Sequence, residues 1–295
     1  MPWSPDPRSL EGAALFSALQ YAVGLELLPN NPLKQLTLRR PIVTEAIDRR
    51  VVVNHAQART LLAAVRSTYP ALEAYFACLY NAALRPAEAR HLRVKNCLLA
   101  ESGWGELVLV GSTPDVRGAW TDSGQPNEDR QLKHRGLPDT RPVPASPELV
   151  EILRRHIATL PTSPDGRVFI TRVGRAGVPL PPPVTKPLSM GTTYPVWAAA
   201  RAAAFTGAQY ASPLARRPYD LGNAAVSLWL NAGVPPTQVA EWVGHSVNVL
   251  LKVYAKYVYG QDEVARTRIE AALPLTVAGE PHSGQNFPAF PGERP

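Results

Sequence analysis

Hydrophobic residues recur at helical spacing along most of the chain, and short turn-forming segments separate these stretches. In residues 13–28, Leu15, Leu19 and Val23 fall on one helical face, and the turn at Pro29 ends the helix. The same pattern predicts further helices, which in chain order are 55–67, 71–83, from Pro86 onward, 148–160, 193–205, 219–230, 236–243, 247–258 and 269–273. The chain is therefore predicted to be mostly α-helical.

The middle of the chain is different and predicts a small sheet. Residues 106–110 and 167–170 read as short strands, and residues 131–133 and 140–143 read as two strands that flank a turn with Gly136 and Pro138. Helices thus precede and follow a group of antiparallel strands. This order predicts an α+β fold class with a small antiparallel sheet.

Composition limits the protein classes that fit this pattern. Hydrophobic residues make up 45% of the 295 residues, which is enough for a buried core. No apolar run is long enough for a membrane span, and the first residues lack the basic and then apolar segments of a signal peptide. We therefore expect a cytoplasmic protein without a membrane partner. The two cysteines lack metal-ligand spacing. The net charge of +7 permits a polyanionic partner such as DNA.

A basic segment connects the first helix to the rest of the chain. It includes Lys34, Arg39 and Arg40, which could lie along a DNA phosphate backbone or could belong to a solvated connector. We expect residues 51–275 to form the main domain. Residues 276–295 are rich in proline and glycine and are predicted to be disordered.

Several short motifs occur in a fixed order within residues 55–260. Arg85 lies in Ala83-Leu84-Arg85-Pro86-Ala87-Glu88, and Lys133 precedes a turn and Thr140-Arg141-Pro142-Val143-Pro144. Tyr219-Asp220-Leu221-Gly222-Asn223 and Val243-Gly244-His245-Ser246 follow, and Tyr254 stands nine residues after His245. Taken together, the motifs resemble the boxes of the tyrosine recombinases, the phage integrase family, including its GLRxxE and LGH boxes.

The resemblance implies a reaction and a role for each matched residue. Tyr254 would attack a DNA phosphodiester to give a 3′-phosphotyrosine, and Arg85 would bind the phosphate. Lys133 would protonate the leaving 5′-oxygen, while His245 would hydrogen-bond the phosphate or move a proton, and Tyr219 would donate a hydrogen bond to the phosphate. The resemblance further implies double-stranded DNA as partner, self-association on DNA, and no metal or other cofactor.

Two features depart from the family pattern. Gly222 stands where the second catalytic arginine is expected, and Asn223 stands where a histidine follows it. Losing one such donor typically lowers the rate about 10²–10³-fold. In addition, residues 1–50 resemble only a remnant of the family's helical core-binding domain, followed by the basic linker.

Three alternatives stay open from the sequence. The chain could be a degenerate relic that binds DNA or partner subunits without cutting. Residues 215–246 could instead be the helix-turn-helix of a transcription factor. Finally, Tyr257 and Tyr259 lie close to Tyr254, so the nucleophile's register is open by one helical turn.

Overall fold

The computed structural model divides the chain into two units, Met1–Glu45 and Ala46–Pro295. The residues described are 10–35, 48–116, 119, 121, 123–132, 139–174, 178–254 and 261–273. In the first unit, helix α1 spans Leu10–Gly24, and a short 3-10 helix spans Pro32–Gln35. The Asn31 side chain donates to the Phe16 carbonyl at 3.1 Å and so ties the turn back to α1.

Helices and a small sheet form the second unit. The described helices and strands are α2 His55–Thr68, α3 Glu73–Asn81, α4 Pro86–His91, β1 Cys97–Leu98, β2 Gly105–Leu109, β3 Arg141–Ala145, α5 Pro147–Thr159, α6 Met190–Ala204, α7 Gly207–Ala211, α8 Asp220–Asn231, α9 Pro236–Val243, α10 Val247–Tyr254 and α11 Gln261–Ala272. The predicted α+β class, mostly helical with a small antiparallel sheet, is confirmed. Across the described ranges, no helix is both long and apolar enough to cross a membrane.

The sheet is antiparallel with strand order β1-β2-β3. Leu107 of β2 pairs with Val143 of β3, and burial of both side chains fixes which face of the sheet meets the core. Prolines are tolerated in β3 because it is an edge strand of this sheet.

Some strand predictions were wrong. Residues 131–132 do not form a strand, and residues 167–170 contribute only single bridges, from Arg167 to Arg93 and from Ile170 to Pro187. Strand β1 was not predicted, because two residues are too short to show an alternating pattern.

Helix α3 is the centre of the larger hydrophobic core. Its residues from Ala74 to Tyr80 are all buried, and it packs against α2, α5 and α8. A second core cluster is formed by α8, α9 and α10, and it includes Tyr254. Helix α8 therefore contributes to both clusters.

Burial of one histidine makes stability depend on pH. His156 lies in the core beside Phe169, and burial lowers its pKa to about 4. The unfolded chain binds a proton at a higher pH than the folded chain does, so stability falls as pH drops from about 6.5 towards 4, by up to about 3 kcal/mol.

We expect His156→Gln to remove most of this dependence of stability on pH. Urea unfolding at pH 7 and pH 4.5 measures it, with the exposed His55→Gln as control. An unchanged pH dependence in His156→Gln would contradict the assignment.

Candidate active site

Distant parts of the second unit meet around one small cavity. The end of α3, the start of α4, the first turn of α8 and the turn between α9 and α10 all line it. Its volume is about 20 Å³, room for about one water molecule. The lining residues are Ala83, Leu84, Arg85, Tyr219, Gly222, Asn223, Val226, Val243, His245 and Tyr254.

Arg85 is held at the mouth of this cavity. It is the N-cap residue of α4, and its backbone N–H donates to Glu88 Oε2 at 2.9 Å. Its guanidinium donates to Glu88 Oε1 at 2.7 Å and to the Gly244 carbonyl at 3.1 Å. The side chain is 19% exposed, so further N–H groups of its fork can reach an anion from solvent.

The turn before Arg85 holds an uncommon backbone conformation. Ala83 has φ of +48°, in the left-handed region that favours glycine. It stands where the family's GLRxxE box has its glycine. The chain thus adopts the glycine conformation here with an alanine, and this turn brings Arg85 to the cavity.

Tyr254 ends α10 with its ring in the second core cluster. The residue is 3% exposed, and its hydroxyl donates to Asn223 Oδ1 at 2.9 Å. Asn223 is itself buried in the first turns of α8. To attack a phosphate, the Tyr254 hydroxyl has to leave this hydrogen bond. Asn223 was singled out from the sequence only as a departure from a histidine, and the pattern gave no signal that it contacts Tyr254.

His245 and Tyr219 complete the polar lining of the cavity. His245 is half-buried and follows Gly244, which ends α9 at φ of +65°. The His245 backbone N–H donates to the Ala240 carbonyl at 3.0 Å, which fixes the turn. Tyr219, just before α8, is 42% exposed and gives the cavity a wall that faces solvent.

Gly222 occupies the first turn of α8, not the helix interior. A Cβ at this position would meet nothing nearer than the Leu79 and Ala83 carbonyl oxygens, both at 3.9 Å. Its φ lies outside the left-handed region, because the positive-φ glycines of the described residues do not include it. Close packing and backbone geometry therefore do not require glycine here.

Gly222→Ala is accordingly expected to stabilise the protein. Alanine costs less conformational entropy on folding than glycine, and we expect the free energy of unfolding to rise by about 0.5 kcal/mol. Chemical denaturation of the two proteins measures the difference. A loss of more than about 1 kcal/mol would mean that the space beside Gly222 is smaller than the structure indicates.

Of the other predicted site residues, the structure describes only Lys34. Lys34 is exposed in the first unit, within the 3-10 helix Pro32–Gln35. Lys133, Arg39 and Arg40 lie outside the described residues, as do Tyr257 and Tyr259 and the tail 276–295. Within the described ranges, no group of three or more His, Cys, Asp or Glu side chains could hold a metal ion.

Solved structures of DNA integrases share this architecture. The Tn1549 transposon integrase in complex with circular intermediate DNA is 16% identical, with a TM-score of 0.59 over 90% of this chain and 80% of that one. A variant of that integrase with transposon right end DNA gives a TM-score of 0.58 at 17% identity, over 89% of this chain and 78% of that one. The chain has the tyrosine recombinase fold. No protein-family model matches the sequence, and no curated protein sequence matches it either.

The tyrosine recombinase fold accounts for the cavity. Arg85 is far in sequence from Tyr219, and both precede the His245–Tyr254 stretch; this fold brings all four residues to the same cavity. An arginine, a histidine and two tyrosines supply the groups that binding of a phosphate diester and attack by a phenolic oxygen require, but the cavity has room for about one water molecule and would have to widen to admit the diester. The roles of the individual residues stay predictions.

Proposed function

We propose that this chain is a site-specific DNA recombinase of the integrase type, with residues 51–275 as its catalytic domain. One observation supports this most strongly: Arg85 comes from a distant part of the chain, yet it lines one cavity with His245 and Tyr254 in a tyrosine recombinase fold. Double-stranded DNA is the proposed substrate. The DNA complexes of the similar integrases support this choice.

The proposed reaction exchanges one phosphoester for another. The Tyr254 oxygen attacks phosphorus, a P–O bond to tyrosine forms, and the P–O bond to the 5′-oxygen breaks. We assign the tyrosine proton to His245, which lines the same cavity, and the proton for the 5′-oxygen to Lys133. Arg85 stabilises the negative charge on the non-bridging oxygens.

The products of cleavage also define the partners. The bond between phosphorus and Tyr254 retains the free energy of the phosphodiester that was cleaved. A 5′-hydroxyl of another strand can therefore attack the 3′-phosphotyrosine and rejoin the DNA without ATP. Exchange between two DNA sites needs protein on both, so we propose self-association on DNA.

Lys34, Arg39 and Arg40 are proposed to contact phosphates of the DNA backbone.

A nicked suicide substrate tests this function. Cleavage near the nick releases a short 5′-hydroxyl fragment, which diffuses away and traps the covalent intermediate. We expect the full chain to form an adduct at the 3′-phosphate, visible as a slower band in a denaturing gel. No adduct, or an adduct at a 5′-phosphate, would contradict the proposal.

Gly222 favours a second candidate, a relic that binds DNA without cutting it. An active recombinase and a relic would both shift DNA in a native gel, but the relic would form no covalent adduct. If the adduct appears only after Gly222→Arg with Asn223→His, the relic is the better description of the natural chain. Efficient cleavage by the unchanged chain excludes it.

A further inference from the structure

A second arginine is buried directly behind Arg85. Arg141, the first residue of β3, is 1% exposed, and its Nη2 donates to Glu88 Oε2 at 2.7 Å. Glu88 is 2% exposed and binds Arg85 through its other oxygen. One buried carboxylate therefore joins two arginines, Arg85 in the lining of the cavity and Arg141 on strand β3.

The Arg141 guanidinium also lies against the backbone of Gly244. A Cβ on Gly244 would overlap Arg141 Nη1 and would lie 3.2 Å from Cζ. Glycine is thus needed at this position for two reasons, the left-handed φ and the closeness of Arg141. Since Arg85 donates to the Gly244 carbonyl, the same turn is contacted by both arginines.

We propose that Arg141 is a positioning residue for the proposed cleavage reaction. It acts through Glu88 on the orientation of Arg85, and through Gly244 on the turn that presents His245. The catalytic part of this inference rests on the proposed function. The structural part, the positioning of Arg85 and of the turn at Gly244, concerns the protein without DNA. Arg141 itself has no place in the lining of the cavity.

Charge and geometry both explain why an arginine is needed here. Without Arg141, the buried Glu88 carboxylate would have Arg85 as its remaining cationic partner in this group. Arg85 would then be drawn towards Glu88. A guanidinium can bind the carboxylate on one side and cover a glycine with its plane on the other, whereas a lysine ammonium is a point charge. Arg141→Lys is thus expected to keep the pair with Glu88 and to lose the contact with Gly244.

Hydrogen exchange in the full chain without DNA tests the structural part. The Gly244 and His245 amides donate to the Glu241 and Ala240 carbonyls, at 3.3 and 3.0 Å, so their exchange reports on the turn. We expect Arg141→Met to speed exchange of these two amides by about tenfold or more, while the amides of α5 keep their rates. Arg141→Lys, which retains the charge, should show the same local change if Arg141→Met does not fold.

Arg167→Met is the matched control. Arg167 is another largely buried arginine, and it binds Asp129 at 2.8 Å and Asp165 at 2.9 Å, away from the cavity. We expect this variant to leave the Gly244 and His245 exchange rates unchanged. Unchanged rates in both Arg141 variants, or equal changes in Arg167→Met, would overturn the proposal.

The catalytic part is measured with the suicide substrate. We expect Arg141→Met to slow adduct formation by about tenfold or more, with DNA affinity within about twofold of the natural chain. Equal losses in affinity and rate would overturn a positioning role. If the natural chain forms no adduct, the proposed function fails, and hydrogen exchange still decides whether Arg141 positions the turn.

Discussion

Replacing Tyr254 by phenylalanine is expected to abolish the covalent DNA adduct completely. The change removes only the hydroxyl oxygen, which is the proposed nucleophile, and keeps the ring in the second core cluster. It also removes the hydrogen bond to Asn223 and leaves a buried acceptor, so stability should fall by about 1–2 kcal/mol. Denaturing gels give the adduct, and thermal unfolding shows that the variant remains folded.

Two matched tyrosine variants accompany this measurement. Tyr219→Phe changes the other tyrosine of the cavity, and Tyr257→Phe changes the tyrosine one helical turn further along the sequence. Both are expected to form the adduct, although Tyr219→Phe should form it more slowly because it loses the predicted hydrogen bond to the phosphate. An adduct that survives Tyr254→Phe and disappears in Tyr257→Phe would shift the nucleophile by one turn.

Replacing Gly222 by arginine is expected to raise the rate of adduct formation about 10²–10³-fold. A Cβ fits at this position, which lies in the wall of the same cavity as Arg85 and Tyr254. A second guanidinium there would add to the stabilisation that Arg85 gives to the charge on the phosphate. The cavity holds about one water molecule, so its lining has to open to admit both the new side chain and the phosphate.

Gly222→Met is the control for this gain, because it adds a long side chain without charge. Single-turnover rates on the suicide substrate compare both variants with the natural chain, and Asn223→His can be added to each. We expect only the arginine variants to gain. Equal rates for Gly222→Arg and Gly222→Met would contradict the assignment of position 222 to the missing arginine.

Local patterns in the sequence were enough to predict most helices. The spacing of Asn54 and Gln57 predicts a capping box, and the structure forms one, with α2 beginning at His55, directly after Asn54. Residues 71–83 are apolar on nearly all sides, which predicts a buried helix, and α3 lies at the centre of the core. The cavity residues were found through the order of short motifs, not through their individual chemistry.

Contacts between distant segments could not be predicted in the same way. The bond from Tyr254 to Asn223 joins two helices, and its geometry depends on how α8 and α10 pack. The joining of Arg85, Glu88 and Arg141 depends on the position of β3 relative to α4. No spacing rule connects such positions, because tertiary packing alone brings them together.

Mass spectrometry of the trapped adduct tests the central claim most directly. The natural chain is incubated with the nicked substrate, the adduct is digested with protease and nuclease, and the modified peptide is sequenced. We predict a nucleotide 3′-phosphate linked to Tyr254. A nucleotide linked to any other residue, or a modified peptide that is never found although DNA binds, would contradict the account.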